Sequence, residues 1–198
     1  MAEDVKSFHG PLSEQVRQRT VSCCEGMTGR ILDVGCGNGL LFEELERVAH
    51  PRSFGVDRST ELLTDVRRRL ERRVECTRGM IDHLPFADRS FDAVTCLNTL
   101  LNLPSLDVVG TALNEMMRVS DGKVIVDIRN GDNPVLVAKY WWHRRDATFA
   151  TVAYRLRDIT RIFQLGGFDI EHAYPIGLGN RLAAWGYVVV AERTGMND

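Results

Sequence analysis

The residues best suited to chemistry lie together near the N-terminus, in the segment Ile31-Leu32-Asp33-Val34-Gly35-Cys36-Gly37-Asn38-Gly39. An apolar run ends there in three alternating glycines, and apolar residues follow from Leu40 at the spacing of a helix. Glycine lets a backbone turn tightly and lets a ligand approach where a Cβ would otherwise stand. A plain strand-to-helix turn seldom needs three glycines, so the segment favours a site for a nucleotide-like ligand.

The glycine spacing and the acidic Asp33 narrow the choice of ligand. Dinucleotide-binding turns carry Gly-x-Gly-x-x-Gly, and the helix that follows holds a pyrophosphate at its N-terminus. Here the third glycine, Gly39, comes one position early, and position 40 is leucine. A carboxylate beside the turn would repel a pyrophosphate but would attract an ammonium group. The segment therefore predicts a zwitterionic or cationic cofactor and disfavours a nicotinamide dinucleotide.

The order of apolar runs predicts the elements that hold this turn. Strands are expected over 30–34, 53–57, 74–78, 91–97, 123–128, 168–174 and 184–191, and helices over 11–25, 40–48, 59–70, 104–117 and 155–165. Strands that alternate with helices predict an α/β fold with a mostly parallel, doubly wound sheet. The last two strands have no helix between them, which predicts an antiparallel edge. The chain length favours a single domain over 1–198.

In these motifs the chain resembles the class I S-adenosylmethionine-dependent methyltransferases, in particular the small-molecule enzymes with a Leu-Asp-Val-Gly-Cys-Gly-x-Gly signature. The resemblance runs from about residue 29 to residue 127. It implies a Rossmann-like sheet of seven strands in the order 3-2-1-4-5-7-6. It also implies S-adenosylmethionine as the cofactor, with its methionine end lined by the signature residues Asp33, Gly35, Cys36, Gly37 and Gly39.

The same resemblance assigns expected roles to residues that follow the next strands. Asp57, with Arg58 beside it, would bind the ribose hydroxyls, and Asp82, with Met80 and Ile81 close by, would lie at the adenine. Asn98 would lie where the chain passes the methyl end of the cofactor. Each carboxylate also has a simpler interpretation, since Asp57 could cap the following helix and Asp82 could serve only its turn. Asn98 could equally be a solvated loop residue.

In the segment 130–150 the apolar residues follow neither the spacing of a helix nor that of a strand, and the segment carries the densest aromatic cluster of the chain. We therefore predict a substrate cap there. His143 is the candidate catalytic base, although a structural or surface histidine is the simpler interpretation. Trp141 and Trp142 either form a wall for a flat or apolar substrate or close the core beneath the cap. The sequence does not decide between these two roles.

Composition and charge limit the classes of partner. A net charge of −2 argues against nucleic acid, and the arginines of 67–73 lie among acidic residues at helical pairing distances. No run of residues is long and apolar enough to cross a bilayer, and no leader precedes the first helix, so a cytoplasmic protein is expected. The five cysteines have no metal-ligand spacing, which predicts reduced thiols and no metal.

The favoured function is the transfer of a methyl group from S-adenosylmethionine to an O, N or C atom of a small molecule. Two alternatives share the fold, namely a non-catalytic protein that binds S-adenosylmethionine and a methyltransferase that acts on RNA or protein. An NAD-dependent dehydrogenase is a third alternative, which the glycine spacing disfavours. The substrate and the oligomeric state cannot be predicted from the sequence.

Overall fold

A computed structural model describes residues 10–48, 51–70, 73–143, 151–177 and 183–195. One sheet crosses the molecule, in the strand order β3-β2-β1-β4-β5-β8-β7, with β6 paired to β5 alone. The strands are β1 (Arg30–Val34), β2 (Arg52–Asp57), β3 (Val74–Arg78), β4 (Phe91–Cys96), β5 (Ser120–Asn130), β6 (Ala153–Tyr154), β7 (Phe168–Gly177) and β8 (Ala184–Arg193). This is the predicted α/β fold.

The predicted strand order is confirmed once the short β6 is counted, since this two-residue strand shifts the numbers of the last two strands by one. β6 lies parallel to the end of β5, where Arg129 pairs with Ala153. β8 runs antiparallel to β5 on one side and to β7 on the other, so the predicted antiparallel pairing lies at this edge of the sheet. β1 to β5 pair in parallel.

Helices cover both faces of the sheet. They are α1 (Pro11–Cys23), α2 (Leu40–Leu45), α3 (Thr60–Arg69), α4 (Leu106–Val119), α5 (Pro134–His143) and α6 (Leu156–Leu165), with a short 3-10 helix at Leu100–Asn102. Alternate residues of a strand point to opposite faces. Leu32 and Val124 therefore pack on the face that α4 and α6 cover, whereas Ile31 and Ile125 pack on the face that α1 and α2 cover. Within the described part of the chain, no helix is long and apolar enough to cross a membrane.

Helix α5 differs from the sequence-based expectation, which found no helical period in this segment. Leu136 is buried, while Val135 and Val137 on either side of it are exposed. The apolar residues of α5 thus occur on several sides of the helix, so the segment lacks the single stripe from which an amphipathic helix is recognised. Its start is fixed instead by Asn133, whose side-chain Oδ1 accepts hydrogen bonds from the backbone N–H groups of Val135 and Leu136.

The arginine-rich helix α3 has the predicted ion-paired face. Arg68 and Arg69 both pair with Asp65 on the same helix, and Arg69 also pairs with Glu43 of α2. The expected pairing with Glu71 lies outside the described residues. The pair between Arg69 and Glu43 joins α3 to α2 beside the glycine turn, and each of these surface pairs contributes little to stability on its own.

Candidate functional site

The glycine turn between β1 and α2 lies at the edge where the parallel strands end. The backbone N–H groups of Gly35 and Cys36 both donate to the carbonyl oxygen of Val56, at 2.7 and 3.1 Å, which ties the turn to β2. Gly35 has a φ of +74°, and a Cβ there would collide with the hydroxyl of Thr99. Glycine is therefore required at this position both by the backbone conformation and by the close approach of the loop after β4.

Asp57 connects the glycine turn to the turn after β2. Its Oδ2 accepts a hydrogen bond from the backbone N–H of Gly37 at 2.9 Å, and its Oδ1 accepts one from Ser59 at 2.8 Å. The N-cap of α3 is Ser59, whose hydroxyl oxygen accepts from the N–H of Leu62. Asp57 is therefore not the helix cap that the simpler interpretation supposed. The structure places its carboxylate against the glycine turn instead.

Asp33, at the end of β1, is a buried carboxylate. The hydroxyl of Thr95, its neighbour on β4, donates to its Oδ1 at 2.8 Å. Burial raises the pKa of Asp33 to about 7, the hydrogen bond from Thr95 opposes this rise, and the charge of Asp57 adds to it. Near neutral pH this side chain therefore changes between an acid and a carboxylate, and a cation bound close to it would favour the carboxylate.

The predicted adenine-side residues occupy a tight turn after β3. The turn closes between Met80 and His83, and the N–H of Gly79, just before it, donates to the carbonyl oxygen of Asp57 at 3.1 Å. Ile81 packs against the main core, whereas Met80 and Asp82 are exposed. Arg58 is also exposed. The backbone thus brings this turn next to Asp57, and none of these contacts tests the predicted roles of its side chains.

Asn98 lies just beyond the end of β4 and is held by groups that the sequence-based interpretation did not include. It has a left-handed backbone, with a φ of +52°, and its N–H donates to the buried carboxylate of Asp127 on β5. Its side-chain Oδ1 accepts from the guanidinium of Arg129 and from the hydroxyl of Ser13, each at 3.2 Å. These contacts fix the orientation of the amide, so Asn98 is not a freely solvated loop residue.

Asp127 and Arg129 form a buried ion pair at the end of β5, with Nη1 of Arg129 3.0 Å from Oδ2 of Asp127. Burial raises the pKa of Asp127, and the adjacent guanidinium opposes the rise. Arg129 also hydrogen-bonds the phenol of Tyr140 on α5. Opposite charges two residues apart in an apolar strand point to the same face, and this pattern in the sequence could have revealed the pair.

Helix α5 lies directly after this pair. Asn133 and Asn130 both donate from their side-chain amides to the carbonyl oxygen of Ala184 on β8, at 3.2 and 3.0 Å, which anchors the start of the helix. Trp141 and Trp142 are 62% and 65% exposed, so they do not close the core. His143 ends the helix, and its side chain and residues 144–150 lie outside what the structure describes.

Comparison with known proteins shows which protein family the middle of the chain matches. Residues 32–126, which include the glycine turn, Asp57 and Asn98, match the family model of the methyltransferase domain. In fold, the chain is similar to magnesium protoporphyrin IX methyltransferase from Synechocystis PCC 6803, solved with bound S-adenosylhomocysteine, with a TM-score of 0.74 and 16% identity over 92% of this chain and 84% of that one. Residues 32–126 thus match a methyltransferase domain, as the sequence predicted, and the solved structure that resembles the chain in fold holds S-adenosylhomocysteine.

Two curated relatives show how far the similarity extends. The chain is 29% identical over 117 residues to demethylmenaquinone methyltransferase of Roseiflexus sp., which covers 58% of this chain and 49% of the relative. It is 42% identical over 87 residues to ubiquinone biosynthesis O-methyltransferase of Alkalilimnicola ehrlichii, covering 41% of this chain and 35% of the relative. The matched part is thus less than half of the length of each relative.

Proposed function

We propose that the chain binds S-adenosylmethionine at the carboxyl ends of β1, β2 and β4 and transfers its methyl group to an O, N or C atom of a small molecule. The observation that carries the proposal is the contact between Asp57 and the N–H of Gly37, inside the region that matches the methyltransferase domain. It places an acidic side chain and the glycine turn at one edge of a parallel sheet, where ligands of such folds bind.

The side chains at this edge fit the cofactor. Each oxygen of the Asp57 carboxylate accepts one backbone N–H and has further lone pairs with which to accept a ribose hydroxyl. Asp33, when ionised, would attract the ammonium group of the methionine end, next to Gly35 and Gly37. The turn of Met80, Ile81 and Asp82 is the candidate for the adenine side, and Asn98 is the candidate for the methyl end.

When bound, S-adenosylmethionine supplies a methyl group on a sulfonium, which is open to in-line displacement. The chain then has to orient the acceptor and exclude water, and a strong base is optional. Ser13 and Arg129 both donate hydrogen bonds to the side-chain oxygen of Asn98. The amide nitrogen of Asn98 can therefore donate a hydrogen bond to a bound ligand. His143 stays the candidate for removing a proton from the acceptor.

We assign the acceptor side to the segment 130–150, the predicted substrate cap, in a single domain spanning 1–198. The exposed Trp141 and Trp142 support a flat, apolar acceptor, since large aromatic faces favour contact with such molecules. The names of relatives that act in demethylmenaquinone and ubiquinone biosynthesis support the same class of acceptor. Quinone precursors and related phenols are therefore the first molecules to test.

The test has two stages on the full chain. Calorimetric titration should show binding of S-adenosylhomocysteine and no binding of NAD, and the reverse pattern would contradict the proposal. Methyl-labelled S-adenosylmethionine is then incubated with the chain and with pools of phenols and quinone precursors, and label should move to a small molecule. If S-adenosylhomocysteine binds but no label reaches a small molecule, RNA or protein, the non-catalytic alternative is favoured. If label appears on added RNA or protein, a methyltransferase that acts on that macromolecule is favoured.

A further inference from the structure

Two cysteines from distant parts of the chain meet beside the glycine turn. Cys36 lies in the turn between Gly35 and Gly37, and Cys76 lies in the middle of β3, where its partner on β2 is Gly55. A Cβ on Gly55 would stand 2.8 Å from the sulfur of Cys36 and 3.2 Å from the sulfur of Cys76. Both sulfurs thus occupy the space that a side chain at position 55 would fill, and no side chain of β2 separates them.

The two thiols also interact with each other. Cys36 donates a hydrogen bond to the sulfur of Cys76, which raises the pKa of Cys36, and burial raises it further. The same bond lowers the pKa of Cys76, with help from the charge of Arg67 and against burial and the charge of Asp33. Cys76 is half-buried, whereas Cys36 is only 6% exposed. Redox-sensitive cysteines combine thiolate character and access with a second thiol close by, and Cys76 has these features.

We propose that Cys36 and Cys76 form an oxidisable dithiol that closes to a disulfide in the presence of a peroxide and weakens cofactor binding. The thiolate of Cys76 attacks one oxygen of hydrogen peroxide, forming a sulfenic acid and releasing hydroxide. The sulfur of Cys36 then attacks the sulfenic sulfur, the S–O bond breaks, and the departing hydroxide leaves as water with the proton of Cys36. Two electrons pass from the sulfurs to the peroxide. A reducing dithiol later returns the disulfide to two thiols by exchange and is itself oxidised to a disulfide.

The consequence for the cofactor site follows from where Cys36 lies. A disulfide holds its sulfurs about 2.05 Å apart, far closer than two hydrogen-bonded thiols, and it fixes the dihedral angle between them. Forming it would pull Cys36 toward β3. Gly37, the next residue, donates its N–H to Asp57 at 2.9 Å, so the turn could not shift without changing that contact. Oxidation should therefore weaken binding at the proposed cofactor site, and this part of the proposal rests on the proposed function.

The experiment treats the full chain with hydrogen peroxide, blocks the remaining thiols and identifies linked peptides by mass spectrometry. We expect a peptide pair joined through Cys36 and Cys76. Titration with S-adenosylhomocysteine should show affinity lowered about tenfold after oxidation, which corresponds to about 1.4 kcal/mol, and restored by dithiothreitol. Cys76→Ser should bind in the reduced state and lose the response to peroxide. The matched control, Cys23→Ser, removes another half-buried cysteine and should keep that response.

The absence of the linked peptide, or its presence with unchanged affinity, would overturn the proposal. A persistent response to peroxide in Cys76→Ser would overturn it as well. The linked peptide is measured without cofactor, so it tests the dithiol by itself. Failure of the reduced chain to bind S-adenosylhomocysteine would therefore contradict the proposed function alone.

Discussion

Replacing Asp33 with asparagine should stabilise the chain and weaken cofactor binding. The substitution keeps the size of the side chain and a partner for Thr95, but it removes the charge. The pKa of Asp33 is about 7, above the ordinary 3.8 of this side chain, so the folded state holds the proton more tightly than the unfolded state does. The stabilisation from that proton is complete below about pH 4 and is lost as the pH rises through 7.

The size of the effect follows from those two pKa values. At about 1.4 kcal/mol for each pH unit between them, the full loss is about 4 kcal/mol, and more than half of it falls between pH 5 and pH 8. Asparagine does not titrate, so Asp33→Asn escapes this loss. The free energy of unfolding of the variant, relative to that of the parent chain, should therefore rise by roughly 2 to 3 kcal/mol from pH 5 to pH 8. Urea denaturation without cofactor measures this difference.

Cofactor affinity should change in the opposite direction. A hydrogen bond to a charged group contributes about 1.5–3 kcal/mol, so Asp33→Asn should weaken S-adenosylhomocysteine binding at pH 8 at least about tenfold. In the parent chain the affinity should rise as the pH increases through about 7, because the carboxylate is the form that attracts the ammonium group. The variant should show no such rise in calorimetric titrations.

A matched control is Asp92→Asn at the other end of the sheet. The carboxylate of Asp92 is exposed and accepts a hydrogen bond from the N–H of Arg30, the first residue of β1. This change should leave affinity for S-adenosylhomocysteine unaltered at every pH. The reasoning would be refuted if Asp33→Asn gave the parent dependence of stability on pH, or if it bound S-adenosylhomocysteine as tightly as the parent at pH 8.

Substitutions at four further positions test the remaining parts of the site. Asp57→Ala should weaken S-adenosylhomocysteine binding at least about tenfold, since a charged hydrogen-bond acceptor is lost, and Asp57→Glu should weaken it less. A lowered melting temperature with unchanged affinity would show that Asp57 only orders the turn. Gly37→Val should leave a folded chain, by circular dichroism, that no longer binds S-adenosylhomocysteine, and normal binding would mean that the turn faces away from the ligand. Trp141→Ala and Trp142→Ala should each change the free energy of unfolding by no more than about 0.5 kcal/mol, because both rings are exposed. Both variants should turn over an identified acceptor more slowly than the parent chain. Unchanged turnover in both variants would exclude the two tryptophans from the acceptor side.

The parts of the fold that could be predicted are those that depend on local sequence. The glycine turn follows from three glycines after an apolar run, and the mostly parallel sheet with its antiparallel edge follows from the order of strands and helices. Asp57 could be placed beside the turn because β1 and β2 are neighbours, and the distance of 2.9 Å to Gly37 agrees with that placement. Each of these inferences needed only residues close in the chain or the general rule for parallel sheets.

The parts that could not be predicted depend on contacts between distant residues. Helix α5 has no single apolar stripe from which it could be recognised, and its start is anchored by Asn133 to Ala184, some fifty positions away in the chain. The side chains of Asn98 and Arg129 are 31 positions apart in the chain, and they meet only because β4 and β5 pair in the observed register. Composition and spacing carry no signal for such pairs beyond the opposite charges of Asp127 and Arg129.

The two halves of the proposed site are held by different kinds of interaction. On the cofactor side, Asp57 contacts backbone N–H groups, so that geometry depends mainly on the turn itself. On the acceptor side, Asn98 is held by side chains from α1 and β5, and Arg129 connects it to Tyr140 of α5. Under the proposed function, substitution of Ser13 or Arg129 should therefore change how an acceptor is oriented without touching the glycine turn.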